Sequence, residues 1–161
     1  MADSAVVNAS PLILLARAGH IELLKLAADL VIVPKPVADE ICAGVAADAA
    51  VTALQSLDWL QTEDPGTVSP AVARWNLGPG ESSVLTWALA HPGAEAIIDD
   101  LMGRRCAKVL GVPVRGTLGL VLTAKLRKRI PEARPVVEQL RSCGMYLSKQ
   151  VLDGALAKIG E

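Results

Sequence analysis

Residues 4–13 read Ser-Ala-Val-Val-Asn-Ala-Ser-Pro-Leu-Ile, a short apolar run that passes directly into a helix start. The run predicts a buried strand that ends at Asn8, the first polar side chain after the two valines. Ser10 is a preferred N-cap residue, and Pro11 suits the first position of a helix. We therefore expect a sharp strand-to-helix junction within residues 8–11.

Comparable short apolar runs recur along the chain. Strands are predicted at 30–33, 96–98 and 112–114, with 59–61 as a further candidate, and the intervening helices include 20–28, 46–56 and 81–90. Strands that alternate with helices predict a parallel sheet covered on both faces. The length of 161 residues suits a single domain, residues 1–161.

Composition limits the class of protein. Hydrophobic residues make up 52% of the chain and charged residues 20%, which argues against disorder. No run approaches the ~18–20 apolar residues of a membrane span, and the first residues lack the basic region of a secretion signal. The three cysteines are far apart and form no C-x-x-C pattern, which suits a reducing compartment. We expect a cytoplasmic protein without membrane partners.

The charge is distributed unevenly. Residues 1–100 contain 4 Lys+Arg and 13 Asp+Glu, whereas residues 103–141 contain 10 Lys+Arg and 2 acids. Such a division permits an acidic metal site beside a basic groove for phosphates, although solvated helix faces give the same pattern. The aromatic residues are too few and scattered for a base-stacking platform, so backbone charge would have to hold any nucleic acid: Trp59, Trp75, Trp87 and Tyr146.

Polar side chains collect where the predicted strands end. Ligands of open parallel sheets bind outside the carboxyl ends of the strands. Carboxylates gathered there repel one another, and Mg²⁺ or Mn²⁺, which prefer oxygen ligands, would offset that repulsion. The candidate catalytic and metal-binding residues are Asn8, Glu40, Glu81, Asp99 and Asp100.

Each candidate also has a structural interpretation. Of Asp99 and Asp100, one is expected to cap the helix at residue 101 and the other to bind the metal. Glu81 is a favourable acid at a helix N-terminus. Glu40 lies near an inward-facing stripe, where a carboxylate needs a partner, and this favours function.

Two hydroxyl residues belong to the same predicted edge. Ser10 and Thr117 are interpreted most simply as helix N-caps. Both would also face the strand ends, where they could bind a ligand through a water.

Several segments together resemble the PIN-domain family. They are Val-Val-Asn-Ala-Ser-Pro-Leu-Ile (6–13), Val-Pro-Lys-Pro-Val-Ala-Asp-Glu-Ile (33–41), Leu-Gly-Pro-Gly-Glu-Ser-Ser-Val-Leu (77–85), Ile-Ile-Asp-Asp-Leu-Met-Gly-Arg-Arg-Cys-Ala (97–107) and Gly-Val-Pro-Val-Arg-Gly-Thr-Leu-Gly (111–119). The Gly-Glu-Ser and Asp-Asp-x-x-Gly-Arg patterns are similar to a prokaryotic PIN-like branch. In the family, the position of Asn8 is usually Asp.

The resemblance implies a Rossmann-like three-layer α/β/α fold with a short parallel sheet. It also implies Mg²⁺- or Mn²⁺-dependent endoribonuclease chemistry, often in the toxin of a VapC-type toxin–antitoxin pair. Such toxins commonly form homodimers and are silenced by a small antitoxin protein.

Two hypotheses follow, with a weaker third. In the first, the protein is a metal-dependent endoribonuclease in which Glu40, Glu81 and Asp99 or Asp100 hold the metal. The residues that would hold the phosphates of the RNA are Arg104, Arg105 and Lys108. In the second, the protein is a catalytically inactive PIN-like module that binds RNA or a protein, because Asn8 removes one negative charge from the site. A small-molecule-binding Rossmann-like protein is less favoured, since no glycine-rich phosphate turn follows the first strand.

Overall fold

The computed structural model describes residues 2–44 and 48–161 and contains a five-stranded parallel sheet. The strands are β1 (Ala5–Val7), β2 (Val31–Pro34), β3 (Leu60–Glu63), β4 (Glu95–Ile97) and β5 (Val114–Arg115). They are arranged in the order β3-β2-β1-β4-β5, and all neighbouring pairs are parallel. All residues of β1, β2 and β4 are buried, as expected of strands covered on both faces.

Helices flank the sheet and give the predicted three-layer α/β/α fold. Their bounds are α1 (Ala9–Arg17), α2 (Lys35–Ala43), α3 (Asp48–Ser56), α4 (Pro70–Ala73), α5 (Pro79–Ala90), α6 (Leu101–Val109), α7 (Thr117–Leu126), α8 (Ala133–Ser142) and α9 (Lys149–Ala157). The predicted helix 46–56 is described only from residue 48 onward, because residues 46–47 lie outside the described ranges. No helix in the described ranges is both long and apolar enough to cross a membrane.

The order of the strands reverses next to β1. From β1 the chain adds β2 and β3 on one side and then β4 and β5 on the other. Val7 is in register with Ile97, and the backbone N–H of Asn8 donates to Ile97 O at 3.0 Å. The carboxyl ends of β1 and β4 are therefore adjacent, and this reversal point is where open α/β sheets bind their ligands.

Two predicted N-caps are wrong. Asn8 is the N-cap of α1, and Ser10 lies within the first turn because the helix begins as soon as β1 ends. Likewise, Gly116 is the N-cap of α7, and Thr117 is the first helical residue. In both places the residue that directly follows the strand, and not the hydroxyl residue, has the extended N-cap conformation.

Two other predictions differ from the structure. The segment predicted as a helix at 20–28 is a 3-10 helix, Ile21–Leu26. Leu23 and Leu26 are both buried, and a period of three residues places them on the same side. The short helix α4 was not among the predicted helices.

A partly buried ion pair joins β4 to β5. Arg115 Nε donates to Glu95 Oε1 at 2.6 Å, and Arg115 Nη2 donates to Glu95 Oε2 at 2.9 Å. A third donor, Arg115 Nη1, reaches Thr123 Oγ1 of α7 at 3.1 Å. Among the described residues, the Arg115 guanidinium therefore donates only to β4 and α7, in contrast to Arg104, which is described below.

Candidate functional site

A cleft of about 910 Å³ opens at the carboxyl ends of β1 and β4. Its lining includes six of the residues singled out from the sequence, namely Asn8, Ser10, Glu81, Asp99, Asp100 and Arg104. The structure thus brings together side chains that are up to 96 positions apart in the chain.

Asn8 is a buried amide residue in the cleft wall, with 4% of its surface exposed. Its Nδ2 donates a hydrogen bond to Glu81 Oε1 at 2.9 Å. Its Oδ1 is buried and has no hydrogen-bond partner among the described residues. A buried acceptor without a donor is costly, so this oxygen is suited to a ligand that supplies positive charge.

Glu40 reaches the same place from α2. Its side chain is exposed, contrary to the expectation of a position close to the core face. A Cβ added at Gly80 would lie 3.0 Å from Glu40 Oε2 and 2.9 Å from Asn8 Oδ1. The missing side chain of Gly80 therefore leaves space in which the two oxygens approach the start of α5. Glu40 lies outside the lining of the cleft itself.

Asp99 is held by the first residue of α7. Thr117 donates to it twice, from its backbone N–H to Oδ1 at 2.7 Å and from its hydroxyl to Oδ2 at 2.7 Å. Thr117 is completely buried, so this pair of bonds holds the carboxylate from the protein interior. Each carboxylate oxygen keeps a second lone pair that is available to a ligand.

Asp100 has the capping role. It is the N-cap of α6, and its Oδ2 accepts from the backbone N–H of Gly103 at 2.8 Å. Of the adjacent acids, Asp99 is consequently the one whose side chain is turned towards α7 rather than used to begin α6.

The three predicted phosphate-binding residues diverge. Arg104 lines the cleft, and its guanidinium occupies the space beside Gly116, where a Cβ would also lie 3.0 Å from Asp99 Oδ1. Arg105 and Lys108 are exposed and lie outside the cleft lining. Adjacent positions of an α-helix point about 100° apart, which separates Arg104 from Arg105.

Helix N-termini surround the acids. Glu81 lies in the first turn of α5, Asp100 begins α6, and Asp99 accepts the first N–H of α7. The positive end of each helix dipole faces negative charge, which offsets part of the repulsion between the carboxylates.

The donor chemistry of the site fits a hard divalent cation. Within residues 2–44 and 48–161, no three His, Cys, Asp or Glu side chains lie close enough together to bind a metal ion. The group around Asn8 instead offers an unpartnered amide oxygen with the carboxylates of Glu40 and Glu81. Oxygen ligands of this kind suit Mg²⁺ and Mn²⁺, with one negative charge fewer than three acids would provide.

Comparison with protein families agrees with this geometry. The family model described as a PIN domain matches residues 4–161, nearly the whole chain. The chain belongs to the PIN-domain family. The family has a nuclease fold, its members generally depend on divalent metal ions, and membership indicates nucleic-acid binding. No curated protein and no solved structure is significantly similar to this chain.

Two glycines and one tyrosine of this PIN domain were not singled out from the sequence. Gly80 and Gly116 leave the space that Asn8 and Arg104 occupy. Their signal is present in the Gly-Pro-Gly-Glu and Arg-Gly-Thr segments, which place Gly80 in the first turn of α5 and Gly116 directly before α7. Tyr146 also lines the cleft, and nothing in its local sequence indicates this position.

Proposed function

We propose that this PIN domain is a Mg²⁺- or Mn²⁺-dependent endoribonuclease whose metal affinity is reduced by Asn8. The observation that carries the proposal is the buried, unpartnered Asn8 Oδ1 beside Glu40 Oε2, next to the cleft at the strand-order reversal. An acceptor oxygen and a carboxylate that converge in this way are suited to a shared cation.

The residues that would hold the cation are Asn8, Glu40, Glu81 and Asp99. A bound cation of this type polarises a phosphodiester and activates a water for attack on phosphorus. Asp100 would contribute negative charge at the edge of the cleft while it caps α6.

The remaining roles belong to groups that orient these ligands or hold RNA. The Asn8 amide fixes Glu81, and Thr117 fixes Asp99. Arg104 would hold the phosphate inside the cleft through its planar set of donors. Arg105 and Lys108, farther along the exposed surface of α6, would contact neighbouring phosphates.

Ser10 would act more weakly. Its side chain is exposed in the first turn of α1, at the rim of the cleft. We propose that it contacts the ligand through a water.

Cleavage of labelled single-stranded RNA tests the proposal. The chain should cleave RNA with Mn²⁺ or Mg²⁺ and lose this activity in EDTA. Asn8→Asp should raise cleavage at limiting Mn²⁺ by about tenfold or more, because ligand charge tunes the affinity of such sites. Glu81→Gln should abolish cleavage.

Asn76→Asp is the matched control, since it makes the same chemical change at the only other asparagine, an exposed residue outside the cleft lining. It should leave cleavage unchanged. If neither the parent chain nor Asn8→Asp binds metal or cleaves RNA, the nuclease proposal is wrong.

A second function is favoured by one specific observation. The Asn8 amide already donates to Glu81, and the described residues contain no three-acid metal site. These two features suit a catalytically inactive PIN-like module that binds RNA or a protein, because such a module needs no metal site. Such a module would bind RNA equally well in EDTA and would take up no Mn²⁺ in a calorimetric titration, whereas the nuclease would bind Mn²⁺.

We also propose a role as the cytoplasmic toxin of a VapC-type pair, acting as a homodimer with a small antitoxin protein as partner. Support comes from the family resemblance of the motifs. Expression of the Asn8→Asp variant should arrest growth, and co-expression of a small protein encoded next to this chain should relieve the arrest. Growth at the normal rate, together with RNA cleavage in vitro, would contradict the toxin role alone.

A further inference from the structure

Tyr146 is unusual among the aromatic residues of this chain. It is 96% exposed, whereas Trp59 and Trp75 pack against the core and Trp87 is buried. In the part of the chain that the structure describes, it is the only Trp or Tyr whose ring is freely accessible. It also lines the cleft that holds the acids.

The backbone that carries this ring is anchored. Met145 and Leu147 on either side pack against the core, so only the middle side chain of the three points outward. The backbone N–H of Met145 donates to Leu140 O at 3.0 Å, and Ser148 caps the start of α9. The ring is therefore presented at the cleft from a fixed segment between α8 and α9.

The cleft lining combines two kinds of side chain. Asn8, Asp99 and Arg104 are polar or charged, whereas Leu101 and Val151 are aliphatic and exposed, as Tyr146 is. A nucleotide has the same division, with an anionic phosphate and a flat base whose faces are apolar. The cleft volume of about 910 Å³ also lies in the range of pockets that enclose small ligands, about 300–1,000 Å³.

We propose that Tyr146 stacks on an unpaired nucleobase of single-stranded RNA, next to the phosphate held at the acidic site. This inference rests on the proposed function. It refines the expectation that the chain has too few aromatics for a stacking platform: one ring at the cleft gives one stacking position, with backbone charge holding the remainder of the strand. Every base has a π-face, so the contact should tolerate different bases. It favours unpaired RNA because the base faces in a duplex are already stacked on one another.

The test compares RNA affinities by fluorescence anisotropy in Mn²⁺, with all variants built on Glu81→Gln to prevent turnover. Tyr146→Ala should weaken binding of a short single-stranded oligonucleotide by about 5- to 150-fold, the usual effect of removing one stacking ring. Tyr146→Phe should bind as the parent does. Leu126→Ala is the control, because Leu126 is also apolar and 66% exposed but lies outside the cleft lining.

An oligonucleotide with one abasic position identifies the contact. The parent should lose a similar factor when the stacked base is removed, and Tyr146→Ala should be insensitive to that removal. Equal affinity of the parent and Tyr146→Ala for intact RNA would overturn the inference while leaving the nuclease proposal intact. If Glu81→Gln does not bind RNA and the unsubstituted chain neither binds nor cleaves it, both proposals are overturned.

Sedimentation velocity tests whether a second copy of the chain, rather than RNA, binds to this surface. If Tyr146→Ala dissociates an oligomer and leaves RNA affinity unchanged, this aliphatic and aromatic surface is an interface between two copies of the chain. That result would also overturn the inference.

Discussion

Asn8→Asp should make the metal-free protein less stable and the metal-loaded protein more stable. In the parent chain, Asn8 Nδ2 donates to Glu81 Oε1 at 2.9 Å. The variant replaces this donor with a carboxylate oxygen, so a hydrogen bond to a charged group is exchanged for a contact between like charges. A divalent cation would reverse the sign of that contact.

The magnitude follows from the distance. Two unit charges separated by the 2.9 Å of this contact repel by about 6 kcal/mol at an effective dielectric constant of ~20. Delocalised charge and side-chain rotation reduce the realised cost to that of a lost hydrogen bond to a charged group, about 1.5–3 kcal/mol. For a domain of this size, each kcal/mol lowers Tm by about 2–4 °C, so Tm in EDTA should fall by about 3–12 °C.

Thermal unfolding with a Mn²⁺ titration measures both effects. Saturation at about 100 times Kd contributes about 2.7 kcal/mol, which offsets most or all of the deficit. The Mn²⁺-induced rise in Tm should therefore be larger for Asn8→Asp than for the parent, and Asn76→Asp should behave as the parent does. If Asn8→Asp is as stable as the parent in EDTA and gains nothing from Mn²⁺, the assignment of Asn8 to a cation site is refuted.

Three further substitutions test individual contacts. A change from glycine to alanine in the middle of a helix raises stability by about 0.5–1 kcal/mol. Gly80 instead lies in the first turn of α5, and the Cβ of Gly80→Ala would lie 2.9 Å from Asn8 Oδ1 and 3.0 Å from Glu40 Oε2. We therefore expect no gain in Tm and a weaker calorimetric Mn²⁺ affinity; an ordinary gain with unchanged affinity would argue against a site there. Thr117→Val removes the buried hydroxyl that donates to Asp99, and the free energy of unfolding measured in urea should fall by about 1.5–3 kcal/mol. Thr117→Ser keeps the hydroxyl and should keep most of the stability. Equal losses in both variants would contradict the role of the hydroxyl. The backbone N–H of Ala133 is the main cause of a lowered pKa of Glu161 in the folded protein. The stabilising effect of this carboxylate is therefore present above the unfolded pKa of about 4.3 and is lost as pH falls through the lower folded pKa. The stability difference between the parent and Glu161→Gln should shrink on acidification, and a difference independent of pH would show that the charge does not matter.

The sheet and its functional edge were predictable from the sequence because strand ends are marked by residue type. The buried valines of β1 stop at Asn8, and the apolar run that contains β4 stops at Asp99. In a parallel sheet all such stops fall on one edge, so the order of elements alone predicts that these side chains are neighbours. The match of the PIN-domain family to residues 4–161 agrees with the predicted fold.

The partners of each side chain were not predictable in the same way. The sequence could not show that Thr117 donates to Asp99 or that Arg104 enters the cleft without Arg105. These contacts depend on how α6 and α7 pack against the sheet, and a rotation of one residue about a helix axis moves a side chain by about 100°. The exposure of Glu40 was missed for the same reason. Glu40 lies at the border of an inward-facing stripe, where a small rotation of the helix decides whether a side chain is buried or exposed.

The hydrogen bonds of the site bear on how strongly it needs a cation. Asp99 has two donors from Thr117, Asp100 has the N–H of Gly103, and Glu81 has the amide of Asn8. Three of the four acids thus accept hydrogen bonds from the chain itself, and within the described residues only Glu40 does not. The repulsion between the acids therefore destabilises the metal-free protein little. An incoming cation must share Glu81 with the amide that already binds it, and it gains only a neutral oxygen from Asn8 in return. The residue that stabilises the metal-free site is therefore also the one that weakens the site for metal, which is why exchanging this single amide for a carboxylate should change stability and metal affinity in opposite directions.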